Sequence, residues 1–413
     1  MTREERGDII VGLDIGTTKI CTVVGEVLDD QVNIIGIGAS PSVGLRKGVV
    51  VNIESTVNSI KKAAAEAETM AGCQINEAYV GIAGSHVKGI NSHGVVAIRD
   101  REITREDINK VVENAKAIPL SQDQEVIHVL PQQFKVDDQD GIQDPLGMTG
   151  VRLEAEVHVV VGSVTAVHNI IKCSNRAGLE VADVVLEPVA SAEAVFSFEE
   201  MELGVALLDI GGGTSDLAVF VNNCIKKTFV LGLGGNNLTN DLSIGLRTPM
   251  AEAEKLKEKY GCALSSFIDK DHPIEIPSVG GRQSRKLSHK VMGEILEPRV
   301  EEMLTLINQE LLDSDIKSLI NAGLVLTGGT AMLAHISDLA EQVFDVPVRI
   351  GYPQNVVGIT DIINTPQCAT GVGLVIYGKR NEESVFNYNR KSEGGGITRA
   401  LKVFKKGLLG RWA

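Results

Sequence analysis

The chain has few aromatic residues, no long apolar run and no excess of positive charge. Aromatic side chains make up 4% of its 413 residues, so Val, Ile, Leu and Ala must build the core. This favours an α/β fold whose buried parallel strands are continuous aliphatic runs. No stretch approaches the ~18 consecutive apolar residues of a transmembrane helix. A formal net charge of -14 argues against general nucleic-acid binding.

Cysteine-pairing motifs are also missing. The six cysteines contain no Cys-x-x-Cys pair, and none lies beside a histidine at metal-ligand spacing. We therefore expect reduced, mostly buried thiols in a cytosolic protein. The polar N-terminus leads directly into a strand, which predicts that there is no signal peptide. The length exceeds that of one compact core, so at least two domains are expected.

The most informative feature that is present is the tripeptide Asp-Ile-Gly, at residues 14–16 and again at 209–211. Each copy lies between two apolar runs, which predicts a strand, a tight glycine turn and a second strand. Glycine turns let backbone N–H groups approach phosphate oxygens. Two such turns facing each other would clamp a polyphosphate and its metal ion.

The residue types in the two turns suit this chemistry. Asp14 and Asp209 are predicted to flank Mg²⁺ from opposite domains through water, because Mg²⁺ keeps much of its hydration shell. The residues predicted to surround the phosphates are Gly16, Thr17, Thr18 and Lys19 on one side and Gly211, Gly212, Gly213 and Thr214 on the other.

Further elements fit a nucleoside. A third glycine turn, Gly328-Gly329-Thr330, follows a strand and is predicted to open a helix, whose N-terminus suits the nucleoside and α-phosphate. Glu254 and Lys257 share a helix face and are candidates for binding the ribose hydroxyls and the base. Taken alone, each of these features has an ordinary structural explanation.

Glu187 stands just before a predicted helix. Its carboxylate is a candidate for orienting a water molecule against the γ-phosphate. The alternative is a structural cap before that helix. The sequence leaves open whether ATP is hydrolysed, and it supports at most a slow ATPase.

The order of these elements resembles the actin, Hsp70 and sugar-kinase superfamily. Its phosphate 1, connect 1, phosphate 2, adenosine and connect 2 segments match residues 14–19, 186–195, 207–219, 324–333 and 364–378. The resemblance covers the chain to about residue 380. It implies an actin-like α/β fold of two duplicated ribonuclease-H-like domains that binds ATP and Mg²⁺.

Further details resemble the FtsA family of bacterial cell-division proteins. They are a small α/β unit over residues 84–165, in the position of that family's 1C subdomain, and motifs at 278–282, 297–299, 326–329 and 371–374. The resemblance implies filament formation and docking of the C-terminal peptide of FtsZ. By resemblance, Arg299 is the candidate FtsZ contact. Without the family resemblance, the better interpretation of Arg299 is a solvated or locally paired arginine.

The predicted subdomain boundaries follow this plan. Subdomain 1A comprises residues 1–83, 166–195 and 365–380, 1C comprises 84–165, 2A comprises 196–245 and 313–364, and 2B comprises 246–312. Helices are predicted over 55–71, 250–260, 291–312 and 369–377, and a loop over 273–286. Residues 381–396 are predicted as a flexible linker within a polar stretch whose reach is roughly 23 Å.

The last segment, 397–413, is predicted as an amphipathic membrane-targeting helix. It holds five basic residues and no acidic one. At ~1.5 Å per residue it is too short to cross the ~30 Å core of a bilayer, so it should lie on the surface. The apolar stripe and the basic residues around it are Ile397, Leu401, Phe404, Leu408 and Trp412, with Lys402, Lys405 and Lys406. A helix docked on the protein's own body or on a partner is the alternative.

The resulting hypothesis is an ATP-binding filament protein on the cytoplasmic face of the bacterial inner membrane, at the division septum. It would anchor FtsZ to anionic lipid and help recruit later division proteins. The alternatives are an FtsA-like pilus assembly protein, a sugar or acid kinase, and an Hsp70-type chaperone. The tail argues against the first two, and the chaperone would need a substrate domain that is missing after residue 380.

Overall fold

The structure, a computed structural model, describes residues 7–28, 31–268, 272–278 and 283–391. Its first part contains six strands and one helix. They are β1 (Asp8–Ile15), β2 (Lys19–Leu28), β3 (Gln31–Pro41), β4 (Leu45–Arg46), β5 (Val49–Val50), α1 (Ile53–Ala71) and β6 (Glu77–Ile82). As predicted, Gly72 ends α1 in the left-handed conformation, which glycine adopts without steric cost.

A separate small unit follows, as predicted. Its elements are β7 (Lys88–Ala97), α2 (Arg105–Lys116), β8 (Gln124–Val136), β9 (Gln139–Ile142) and β10 (Arg152–Ser163). The strands form one sheet in the order β7-β10-β8-β9. Thr104 and Asp107 form the capping box that begins α2, so the predicted helix start is confirmed. We call this the inserted unit.

The chain then returns to the first sheet and crosses to the second. The elements are α3 (Val164–Ala177), β11 (Glu180–Leu186), α4 (Glu187–Val195) and α5 (Phe198–Leu203). Strand β11 pairs in parallel with β6, and β6 pairs in parallel with β1. The first sheet therefore joins an antiparallel meander, β3-β2-β1, to two parallel strands.

The second half repeats that plan. Its elements are β12 (Val205–Ile210), β13 (Ser215–Val221), β14 (Cys224–Leu231), α6 (Gly235–Leu246), α7 (Met250–Tyr260), β15 (Pro273–Ile276), β16 (Arg285–Ser288), α8 (His289–Asp313), β17 (Leu324–Thr327), α9 (Ile336–Phe344) and β18 (Val348–Ile350). The sheet order is β14-β13-β12-β17-β18, again a meander extended by two parallel strands. The predicted duplication is confirmed.

Two segments of the second half differ from the sequence-based expectation. The loop predicted over 273–286 contains β15, which pairs with β16. Its alternating pattern explains this, because Ile274 and Ile276 are buried while Pro273 and Glu275 are exposed. Strand β19 (Val356–Gly358) pairs with β3 of the first sheet, although the predicted boundary places these residues with the second half.

The chain ends with α10 (Thr360–Ile363) and α11 (Ala369–Lys391). The last helix was predicted to end at Tyr377, but it continues to Lys391, so the first part of the predicted flexible linker is helical. No proline or glycine lies between residues 379 and 391 to stop it. Residues 392–396 and the predicted membrane helix at 397–413 lie outside the described residues.

Helices α4 and α11 pack between the two sheets. The central hydrophobic cluster draws on Val23 and Ile34 of the first sheet, Leu207 and Phe220 of the second, and both helices. The helices approach so closely that a Cβ at Gly373 would lie 1.8 Å from the Ala190 carbonyl oxygen. Because both helices touch strands that carry the glycine turns, their packing positions the site.

The inserted unit contacts both halves, and a buried histidine of the unit bonds each of them. His128 of β8 accepts a hydrogen bond at Nε2 from the Leu186 backbone N–H, at 2.9 Å. His158 of β10 bonds the Thr228 hydroxyl of β14 through Nε2 at 2.9 Å, and Asn91 through Nδ1 at 2.6 Å. Burial lowers the pKa of each histidine to about 4, so both are neutral at pH 7.

All six cysteines lie within the described residues as thiols outside any disulfide, and five of them are buried, as expected. Within the described part of the chain, no helix combines the length and apolar character that crossing a membrane requires.

Candidate functional site

The two Asp-Ile-Gly turns lie against each other between the halves. The first joins β1 to β2, and the second joins β12 to β13. A Cβ at Gly212 would lie 2.3 Å from Thr18 Cγ2, and one at Gly213 would lie 2.6 Å from Thr17 Oγ1. The bare glycines of the second turn therefore leave the space that the threonines of the first turn fill.

The two aspartates end equivalent strands and are almost completely buried, with Asp14 8% and Asp209 9% exposed. Burial and the charge of Asp209 raise the pKa of Asp14 to about 7, while Lys19 opposes the shift. Burial also raises the pKa of Asp209. The hydroxyl of Ser191 donates a hydrogen bond to Asp209 Oδ2 at 3.1 Å, and that of Thr370 does so at 3.4 Å.

Two more carboxyl groups share this environment. Glu187 is the first residue of α4, and burial, followed by the charges of Asp14, Asp216 and Asp209, raises its pKa well above the usual range. Burial, with the charge of Asp209, raises the pKa of Asp216 to about 7 although Thr214 donates to its Oδ2 at 2.8 Å. The other oxygen, Oδ1, is buried and has no hydrogen-bond partner.

Asp216 was missed by the sequence reasoning. The available signal was a charged residue inside the apolar strand β13, directly opposite Asp209 in the hairpin register. Buried charges are expensive unless they are paired or bind a cation. The four carboxyl groups thus fit a nearby cation, whose charge would reverse their pKa shifts.

The number and type of ligand atoms at the site limit which cation it can bind. Among the described residues, no three His, Cys, Asp or Glu side chains are arranged to ligate a metal together. Mg²⁺ can be held through one or two carboxylates and its own waters. Asp14 and Asp209 suit that mode.

Lys19 is the cation of the first turn. Its Nζ donates to the Gln367 carbonyl oxygen at 3.1 Å. Burial lowers the pKa of Lys19, but two cysteine thiols, Asp14 and Asp209 raise it overall. The ammonium therefore stays charged and offsets part of the acidic cluster.

The third glycine turn adjoins the second. Thr330 Oγ1 donates to the Gly211 carbonyl oxygen at 3.1 Å, and Thr327, before Gly328, pairs with Asp209 in the sheet. The predicted helix start was wrong in part, because Gly329–Met332 forms only a one-turn 3₁₀ helix. Extended backbone at Leu333 ends that turn, so α9 starts only after His335.

Glu254 and Lys257 lie on α7, beside the start of α6. Lys257 Nζ bonds both carboxylate oxygens of Glu254 at 2.9 Å, Thr239 Oγ1 at 2.9 Å and the Gly235 carbonyl oxygen at 3.1 Å. The Gly235 N–H in turn donates to the Gly211 oxygen. The structure therefore brings Glu254 and Lys257 to the edge of the glycine turns. There the two side chains bond each other and neighbouring protein groups.

Arg299 lies on the long helix α8, as predicted. Its Nε donates to Asp241 Oδ2 at 2.6 Å, and it also contacts Glu302. The arginine is locally paired and 30% exposed. Its assignment to FtsZ stays a prediction.

Comparison with known proteins decides the family. A model described as cell division protein FtsA matches residues 206–373, and one described as the SHS2 domain inserted in FtsA matches residues 84–161, which is the inserted unit. The cell division protein FtsA of Pseudomonas aeruginosa is 50% identical over 383 residues, 92% of each chain. This chain belongs to the FtsA family.

Other FtsA proteins agree. That of Neisseria meningitidis is 42% identical over 406 residues, 97% of this chain and 98% of its own, and that of Escherichia coli K12 is 42% identical over 381 residues, 90% and 91%. The chain is therefore a cell-division protein of the actin-like FtsA family. This family assignment does not support the chaperone and kinase alternatives.

Solved structures agree with the fold. A PilM–PilN type IV pilus biogenesis complex matches with a TM-score of 0.65 at 18% identity, covering 89% of this chain and 98% of that chain. MreB5 of Spiroplasma citri bound to ADP matches with a TM-score of 0.55 at 16% identity, covering 94% and 100%. At these identities the similarity extends to the fold alone. The match to the pilus protein therefore does not support a pilus function for this chain, whose FtsA relatives are 42–50% identical to it.

Proposed function

We propose that this protein is an ATP-binding member of the FtsA family that assembles on the cytoplasmic face of the inner membrane at the septum. There it would anchor FtsZ and help recruit later division proteins. The observation that carries the nucleotide assignment is the convergence of two glycine turns on three buried carboxyl groups and the half-buried Glu187. Backbone N–H groups suit phosphates, and the carboxylates suit the accompanying cation.

The residues have complementary roles in this proposal. Gly16, with the Thr17 and Thr18 hydroxyls, binds phosphate oxygens from the first half, and residues 211–214 do so from the second. Asp14 and Asp209 hold Mg²⁺ through water. The ion supplies charge neutralisation when bound. Similar folds support this use, since the Spiroplasma citri MreB5 structures are described as bound to ADP and to AMPPNP.

Glu187 is proposed to orient water. Its carboxyl group lies among three other acidic side chains, which favour its protonated form until a cation is nearby. A protonated carboxyl group cannot accept a proton from water. We therefore propose at most slow ATP hydrolysis, dependent on Mg²⁺.

Equilibrium binding of a fluorescent ATP derivative with Mg²⁺ tests the nucleotide site. We expect D14A and D209A each to weaken binding at least about tenfold, which corresponds to 1.4 kcal/mol. The matched control is E106A, which removes a 77% exposed carboxylate of the inserted unit. Unchanged affinity in both aspartate variants would refute the site.

The membrane role rests on the sequence of residues 397–413. Burying five large apolar side chains contributes on the order of 10 kcal/mol before ordering costs, and each basic residue near anionic lipid adds about 1 kcal/mol. Co-sedimentation with anionic liposomes tests it. Deleting 397–413 or making F404D should abolish pelleting, whereas V403D, off the apolar stripe, should have the smaller effect. If all forms pelleted equally, the proposal of a membrane anchor would be wrong.

The FtsZ contact is proposed at Arg299 by family resemblance. Anisotropy with a labelled FtsZ C-terminal peptide should show weaker binding to R299A than to the control R152A, which removes another ion-paired arginine. Filament formation is proposed on the same grounds. Electron microscopy on anionic lipid with ATP, with ADP or without nucleotide tests it, and the absence of filaments in every condition would contradict it.

A further inference from the structure

The short hairpin formed by β4 and β5 lies at the first glycine turn. Its two-residue turn, Lys47-Gly48, has positive φ at both positions, +50° and +76°. This geometry suits asparagine followed by glycine and is unfavourable for lysine. Non-glycine residues with positive φ are uncommon, and Lys47 is one of ten among the described residues.

The hairpin is fixed in place by its glycine. The Gly48 N–H donates to Thr17 Oγ1 at 3.1 Å, and a Cβ on Gly48 would lie 2.6 Å from the Ala83 carbonyl oxygen. Thr17 is also the residue that faces Gly213 across the cleft. The turn is therefore attached to the point where the two halves meet.

The Lys47 side chain extends from there to the second half. Its Nζ lies 3.7 Å from the position that a Cβ would take on Gly232. Gly232 precedes α6, and the first N–H groups of that helix donate to the second turn. The Gly235 N–H donates to the Gly211 oxygen at 2.9 Å, and the Asn236 N–H donates to the Gly212 oxygen at 2.8 Å. The ammonium group thus lies beside the segment that leads from β14 into α6 and so to the second turn.

Lys47 differs from the other two lysines near the site. Lys19 bonds the Gln367 oxygen, and Lys257 bonds Glu254. Within the described residues, Lys47 is exposed and makes no hydrogen bond or ion pair. This exposed ammonium group belongs to a hairpin that is bonded to the first turn, and it reaches the segment before α6 in the second half. It is therefore available to a ligand.

We propose that Lys47 is a further ligand-binding residue of this site, which binds the terminal phosphate of a nucleoside triphosphate. The proposal rests on the nucleotide site proposed above and deepens it. Lysine is a usual phosphate ligand that acts as a point charge. Since the diphosphate lacks the terminal group, Lys47 makes the site distinguish ATP from ADP and reports that difference across the cleft.

The test compares affinities for fluorescent ATP and ADP derivatives, with Mg²⁺, in the full chain. K47N is the main variant, because asparagine tolerates the left-handed conformation and the hairpin should fold at least as well. We expect its ATP-to-ADP affinity ratio to fall about tenfold, with ADP affinity changed by less than about twofold. K47R should retain most of the preference.

The matched control is R46N, which removes the same charge from the neighbouring exposed residue of the hairpin and should leave the ratio unchanged. An unchanged ratio in K47N, or an equal loss for ATP and ADP, would overturn the assignment of Lys47 while leaving the nucleotide site intact. Absence of nucleotide binding by the unaltered protein would instead overturn the site itself, and this inference with it.

Discussion

The two halves of the molecule share one arrangement of strands and differ in what they bring to the cleft. In the first hairpin, Asp14 is paired with Cys21, and Lys19 supplies a half-buried cation. In the second, Asp209 is paired with Asp216, a second buried carboxyl group. The first turn carries two threonine hydroxyls, whereas the second carries three consecutive glycines.

The difference shows that the two halves share a backbone arrangement but differ in the side chains that line the cleft. The first hairpin contributes hydroxyls and a lysine, whereas the second contributes backbone N–H groups and a second carboxyl group in the hairpin itself. The two are also complementary in shape, because the threonines of one fill the space left by the glycines of the other. A symmetric clamp of two identical turns would lack both properties.

The largest expected effect on nucleotide affinity comes from removing that complementarity. In G212A the added Cβ would lie 2.3 Å from Thr18 Cγ2, so the turns must separate. We expect nucleotide affinity to fall about 100-fold, or 2.8 kcal/mol.

The double variant G212A/T18A removes the clashing methyl and hydroxyl groups and should recover part of the affinity, which a double-mutant cycle measures. If G212A loses as much affinity in the T18A background as in the unaltered protein, contact between the two turns is not the cause of the loss.

The second prediction separates the two aspartates. Because the pKa of Asp14 is raised to about 7, the folded state holds a proton that the unfolded chain releases, and stability falls as pH rises from about 4 to 7. At pH 8 without metal, D14N should therefore raise the free energy of unfolding by on the order of 2–4 kcal/mol. D209N should gain less, because Ser191 and Thr370 already donate to that carboxylate.

Urea unfolding at pH 8 with EDTA measures both values. A D14N protein less stable than the unaltered one, or a larger gain in D209N, would contradict the proposed asymmetry.

The smallest effect concerns the inserted unit, which contacts the first half through His128 and the second through His158. Both have folded pKa values of about 4, below that of an unfolded histidine, so stability is lost as pH falls from about 6.5 towards 4. Between pH 7 and 5, each should cost about 2 kcal/mol. H158Q should reduce this pH dependence in thermal unfolding, and H168Q, at an exposed histidine, should not. Equal pH dependence in all three proteins would exclude His158 as the sensitive contact.

Local signals made much of this structure predictable. The strand–turn–strand pattern around Asp14 and Asp209 is contained in about a dozen residues each, and the cap residues of α1 and α2 lie next to the helices they end or begin. Apolar periodicity located the inserted unit. The order of the motifs then indicated the superfamily.

Features that depend on distant pairing were missed. Strand β19 is three residues long and is defined only by β3, more than 300 positions earlier. Lys47 reaches the cleft through a hairpin of two-residue strands, and Asp216 is notable only once its neighbours are known to be acidic. None of these has a strong signal of its own in the sequence.

The path of the chain through the two sheets has a mechanical consequence. The backbone crosses from the first sheet to the second between Leu186 and Val205, and it returns between Ile350 and Val356. Two bodies joined at two points keep one easy motion, a rotation about the line through those points. The inserted unit is bonded to Leu186, where the first crossing begins, and to Thr228 in β14 of the second body. These two bonds should limit how far this rotation can go.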